Sequence, residues 1–228
     1  ALREVDTLFT ELEAYVMSSP AGRDAVFLVV SEYAMTDVSG VVYPNVVLRN
    51  HGLLRTHDTP DGDLIDYDAS RAFAVVDHQC AHVYARENAI DEVVACLQGA
   101  VGIDGIYARG DRAAIGMRHD RAGEVVLVAQ PDHWFAYYWW LDDAAAPRFA
   151  RTVDIHRKPG YDPVELFFDP ASKSIPLDAS LVKGSHGAPA AGPQHRAALL
   201  CSRGSDVVQA GHVYRDTDIK RIVLELFA

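Results

Sequence analysis

Cysteine is scarce in this 228-residue chain: Cys80, Cys96 and Cys201 are odd in number and lack the spacing of a metal knuckle. A disulfide framework is therefore not expected, and the cysteine usage points to a reducing, cytoplasmic compartment. Positive charge is scarce too. Lys and Arg total 21 against 32 Asp and Glu, a net charge of -11. Such a surface disfavours nucleic acid polymers, which are bound by displacing counterions with basic side chains. It leaves room for a small phosphorylated substrate, because a metal ion or local cations can reverse the sign inside a cleft. No apolar run approaches the ~20 residues of a membrane span. The N-terminus does not read as a signal peptide. Repeats and low-complexity tracts are missing as well. What the chain does have is 49% hydrophobic residues, enough for a substantial core.

Leu2, Val5, Leu8, Phe9, Leu12 and Val16 recur at helical spacing and predict an amphipathic helix over 1–17. It has no initiator Met before it and no N-cap residue, so the chain is expected to belong to a longer protein. Residues 25–30, A-V-F-L-V-V, predict a central strand of a parallel sheet, buried on both faces. Glu32 and Tyr33 follow it, at the strand end where open α/β sheets bind ligands. Glu32 reads either as a functional carboxylate or as a cap. A helix is expected from Tyr43 to about Leu54, and a surface loop over 57–68. Residues 72–76 and 82–85 predict two short strands separated by Asp77-His78-Gln79. Asp77, His78 and His82 read either as a metal cluster or as polar residues of a hairpin.

Further on, 90–97 reads as a helix, 102–109 and 113–116 as strand and turn, and 124–129 as a buried strand. The aromatic run 134–140, W-F-A-Y-Y-W-W, is expected to serve mainly packing. Alternation puts Trp134, Tyr138 and Trp140 on one side and Phe135, Tyr137 and Trp139 on the other. A short helix is expected over 164–168, a strand over 198–201 and an amphipathic helix over 216–227. The brevity of 169–176 reads as a connection from which a flexible loop has been left out. The alternation predicts an α/β class with a largely parallel sheet flanked by helices.

Two histidine loops stand out. Residues 181–187, L-V-K-G-S-H-G, set His186 between two glycines after a β-type run. Glycine lets the backbone turn tightly and lets a ligand approach, so His186 reads as a metal ligand. The alternative is a histidine that only bonds the backbone of its own turn. Residues 154–162, D-I-H-R-K-P-G-Y-D, carry His156 beside Arg157 and Lys158, cations suited to a phosphate or carboxylate. There the alternative is an Asp154–Arg157 pair that closes the loop.

In chain order, V-V-S-E-Y-A (29–34), E-V-V-L-V-A (124–129), V-K-G-S-H-G (182–187) and D-T-D-I-K-R-I-V-L-E-L (216–226) resemble the alkaline phosphatase superfamily. Within it they resemble the type I phosphodiesterase/nucleotide pyrophosphatase branch. The resemblance implies that 1–228 form the C-terminal part of one alkaline-phosphatase-like domain, with a substrate-side insertion around 130–180. It implies a hydrolase of phosphodiester or phosphoanhydride bonds using a divalent metal, zinc or alternatively manganese. In such a two-metal site the ions clamp the attacking and leaving oxygens, and a metal-activated hydroxyl is the nucleophile. That hydroxyl and the first metal ligands belong to the half of the family not represented here, so an N-terminal half is an implied partner.

The ligands implied are His186, Glu32, His156, Asp154, Asp77 and His78. Lys158 and Lys183 are implied as catalytic cations, and Tyr33 and Arg157 as substrate contacts. Glu32 and His186 are expected to converge on one cleft that His156 also faces. The substrate implied is small and phosphorylated, such as a nucleotide, with no membrane partner. One departure is plain: Glu32-Tyr33 stands where the family has Asp-His, and tyrosine is a poor zinc ligand at neutral pH. That departure supports an alternative reading, a non-catalytic binding or scaffold protein on the same fold; a metal-dependent mutase on that fold is a third.

Overall fold

The computed structural model describes residues 2–152, 167–190, 192–203 and 207–227. Contacts divide the chain into a unit made of Ala1–Ala34 with Arg196–Ala228 and a larger one, Met35–His195.

In the smaller unit the helical period of the N-terminal stretch produces α1 (Leu2–Met17). Ser19 then caps a short 3-10 turn by accepting the Gly22 N–H. Gly22 is required there, because a Cβ would fall 1.9 Å from the Val16 carbonyl oxygen. Phe9 packs edge-on against Phe27. β1 (Leu28–Val30) pairs antiparallel with β12 (Leu199–Cys201), and α4 (Ile219–Leu226) buries Ile222.

The expectation for 25–30 is corrected here. Only 28–30 are strand, their partner is antiparallel, and Val29 and Val30 are 38% and 43% exposed. A short apolar run has no period that separates a doubly buried strand from one arm of a ribbon.

The larger unit is built on a four-stranded sheet, all antiparallel, in the order β6 (Ala72–Asp77), β7 (Cys80–Ala85), β9 (Val125–Ala129), β8 (Ile103–Ala108). β9 is buried along its whole length, as its unbroken apolar sequence requires. Helix α2 (Pro44–Asn50) packs on β6, α3 (Ile90–Leu97) packs on β8 and β9, and the two helices touch. Ile90, Val93 and Leu97 form the buried face of α3. Three smaller pairs surround this core. β2 (Thr36–Asp37) runs antiparallel to β11 (Gly184–Ser185). β3 (Gly40–Val42) runs parallel to β10 (His133–Phe135). β4 (Thr56–Thr59) and β5 (Gly62–Ile65) form a hairpin.

The α/β class holds, but the parallel arrangement does not: among the described residues only β3 and β10 pair in parallel. The expected loop over 57–68 is mostly the β4–β5 hairpin, with Asp63 and Ile65 buried. Helix α2 stops at Asn50, before a left-handed Gly52. The aromatic run is core. Each ring from Trp134 to Trp140 is at most 4% exposed, and Tyr138 stacks on Trp140 with centroids 4.3 Å apart.

Candidate metal centre

The β6–β7 hairpin turns over two residues, His78 and Gln79, between the paired Asp77 and Cys80. The first of them, His78, has φ 54°. That left-handed position normally takes glycine or asparagine and costs a side-chain-bearing residue about 1–2 kcal/mol. A histidine held there is a strained choice, and such strain concentrates at functional sites.

The second loop arrives from β11. Its register on β2 is extended by the Val38 N–H, which donates to the Lys183 carbonyl at 3.0 Å. Gly187, at φ +108°, then turns the chain across the hairpin. The Gln79 N–H donates to the His186 carbonyl at 2.8 Å, and the Phe135 N–H to the His78 carbonyl at 2.7 Å. These bonds bring the two imidazoles together, with ring centroids 3.8 Å apart and planes inclined by 39°.

Asp77 stands beside His78, its Oδ1 3.8 Å from His78 Nε2 and its side chain 71% exposed. Burial, and then the Asp77 charge, push the neighbouring Cys80 thiol up to about 11. Lys183 is exposed. Its charge is a minor reason why the Asp178 carboxyl lies below its usual range, the largest being the hydrogen bond with Ser180.

Of the residues predicted from sequence, then, His78 and His186 come together, and Asp77 adjoins His78. Glu32 and Tyr33 lie in the smaller unit, both exposed, with the Ser31 hydroxyl donating to the Tyr33 carbonyl at 2.7 Å. Asp154, His156, Arg157 and Lys158 fall outside the described residues. Among the described residues no group of three or more His, Cys, Asp or Glu side chains is placed to hold a metal. Two imidazoles with a nearby carboxylate are nonetheless donors that zinc accepts.

His82 is a strand residue of the hairpin, in β7. Its Nδ1 accepts the Gly123 N–H at 3.2 Å, and burial holds its pKa below the ordinary value. Sequence reasoning missed the pair Asp132–His133, joined at 2.7 Å, whose imidazole fills the space left by Gly40 and Gly102. It also missed Gln79, which is 1% exposed. A glutamine in a hairpin turn carries no sequence signal of burial. An open pocket of about 540 Å³ lies beside Tyr43, Tyr138 and Trp140, and none of the candidate site residues lines it.

The family model for type I phosphodiesterase/nucleotide pyrophosphatase matches residues 1–162. That stretch includes Glu32, Tyr33, Asp77 and His78 and ends before His186. Phosphonoacetate hydrolase from Sinorhizobium meliloti 1021, solved with phosphonoformate, is similar in fold, with a TM-score of 0.50 at 16% identity. The match covers 91% of this chain and 43% of that one. Murine ectonucleotide pyrophosphatase/phosphodiesterase 5 gives a TM-score of 0.44 at 17% identity, covering 82% of this chain and 40% of its own. The chain thus spans less than half the length of either. No curated protein sequence matches it.

Proposed function

Because the chain belongs to the type I phosphodiesterase/nucleotide pyrophosphatase family, we propose that its protein hydrolyses phosphodiester or phosphoanhydride bonds with a bound divalent metal. His186 and His78 supply two of the metal's ligands in this reading. The observation that carries it is the meeting of the two imidazoles at 3.8 Å, each delivered by a different loop. Zinc fits the donors best, with manganese as the alternative. Bound there, the ion would supply positive charge to phosphoryl oxygens.

The chain's own part is to present the imidazoles on backbone fixed from both sides and to keep a carboxylate, Asp77, within reach. Asp154 and His156 are proposed as further ligands, Lys158 and Lys183 as catalytic cations, and Arg157 as a substrate contact. The substrate class is a small phosphorylated molecule. Phosphonoacetate hydrolase, the neighbour of similar fold, was solved with a phosphorus oxyanion, phosphonoformate.

The test is hydrolysis of a generic phosphodiester with added zinc or manganese. His186→Ala should abolish it. His78→Gly is the sharper variant, because glycine is the residue this turn prefers. It should lose activity while stability stays within about 1 kcal/mol of wild type. Full activity in both variants would remove the pair from the site. Metal binding without turnover would favour the binding-protein reading.

A further inference from the structure

Gln79 follows His78 in the hairpin turn, and its polar atoms reach three segments outside that hairpin. Its Nε2 donates to the Pro131 carbonyl at 3.1 Å and to the His133 carbonyl at 2.9 Å, in the turn between β9 and β10. Its Oε1 accepts the Ala188 N–H beyond the His186 loop at 3.4 Å and, at the same distance, shares the single proton of the Thr36 hydroxyl of β2. Its own N–H holds the His186 carbonyl, and its carbonyl accepts the Ala129 N–H at 2.9 Å. The other acceptor of that shared Thr36 proton is the Ser185 carbonyl at 3.2 Å, so the loop carrying His186 is tied on both sides of that residue.

Every polar atom of a fully buried glutamine is thereby used. Burying a carboxamide is unfavourable unless its hydrogen bonds are made. A leucine or methionine would fill the space with no polar group to satisfy. The position instead holds the one side-chain type with two donors, an acceptor and this reach. Those bonds tie the turn that presents His78 to the loop that presents His186 and to the β9–β10 turn.

We propose that Gln79 is a positioning residue for the histidine pair. Its carboxamide locks the His186 loop and the β9–β10 turn onto the hairpin, so that His78 and His186 are held in contact before any ligand binds. The idea rests on the proposed hydrolase site for its purpose, though its geometry can be tested without that reading.

The measurement is made on the metal-free protein by NMR of the histidine Cε1–H groups, in wild type and in Gln79→Leu. Two aromatic rings in contact shift each other's resonances. In Gln79→Leu the His78 and His186 signals should move toward those of a solvated imidazole, while those of His51 and His212 stay in place. Activity supplies the second readout. A misplacement of ~1 Å can cost about 100-fold in rate, so kcat should fall by about that factor with KM little changed.

Unmoved resonances in a folded Gln79→Leu would overturn the proposal. If that variant does not fold, the wild-type carboxamide decides. The Gln79 side-chain NH2 protons should exchange far more slowly than those of the exposed Gln98. Equal exchange overturns it. A wild type with shifted histidines and a protected carboxamide but no hydrolysis would leave Gln79 as the clamp of the pair and defeat only the hydrolase reading.

Discussion

Replacing Asn45 with alanine should be among the most damaging single changes in the larger unit. Asn45 lies on α2 and is fully buried. Its Nδ2 donates to the Ala74 carbonyl at 2.8 Å and to the Tyr137 carbonyl at 3.3 Å, while its Oδ1 accepts the Ala74 N–H at 2.7 Å. Ala74 belongs to β6, the edge strand of the four-stranded sheet. The asparagine thus stands in for a missing neighbouring strand and ties the aromatic run to the same point. Truncation strands three backbone groups at residues that are 2% exposed. Each buried group left without a partner costs about 1–3 kcal/mol. With partial relaxation the expected loss is about 4 kcal/mol, or about 8–16 °C in Tm for a domain of this size. Asn45→Asp should be worse, since it keeps the acceptor but sets a carboxylate against two carbonyl oxygens. Urea unfolding followed by tryptophan fluorescence reads the right region, because Trp134, Trp139 and Trp140 are buried in the same unit. An Asn45→Ala protein within about 0.5 kcal/mol of wild type would refute the reasoning, as that is the range of a surface substitution.

Cys80 should be slow to alkylate. With its thiol pushed up to about 11 from 9.0, it holds about 100-fold less thiolate at pH 8 than an ordinary cysteine. Its alkylation rate should keep climbing above pH 9, and a plateau near 9 would contradict the burial. His82 sets a pH dependence of stability. Its folded pKa lies below the ordinary 6.5, so the unfolded chain takes up the proton first. The contribution is complete above pH 6.5 and is lost as pH falls below it. Urea midpoints between pH 5 and 8 should show this slope, and His82→Gln should flatten it. Gly40→Ala places a Cβ 2.2 Å from the His133 ring, and a loss of about 1–3 kcal/mol in denaturation is expected from such overpacking.

Much of the fold is legible where a period or an unbroken run dictates burial. The buried face of α3, the alternation of β6 and β7, and the wholly apolar β9 all appear where the residues place them. Helix α1 also forms where its period predicts, but Leu2, Val5, Leu8 and Leu12 of its stripe are exposed. Direction of pairing is not written in any single strand. That is why a run such as 25–30 reads as parallel and central when its described partner is the antiparallel β12. The β4–β5 hairpin escapes for another reason. Thr56–Thr59 is polar, and only the far arm carries the alternation that buries Asp63 and Ile65.

At the site, His186 and His78 are legible by type, each in a turn of small or polar residues. Their meeting is not, because it depends on two backbone bonds and on Gln79, whose partners come from Thr36, Pro131, His133 and Ala188. No local pattern links those positions.

The claim that His186 and His78 form part of a metal centre is tested most directly by metal content. The full-length protein, dialysed against zinc and freed of loose ions, should retain bound zinc measurable by elemental mass spectrometry. The account predicts that His186→Ala and His78→Gly each lose about one equivalent per chain while their unfolding midpoints stay near wild type. Zinc retained in full by both folded variants would contradict it.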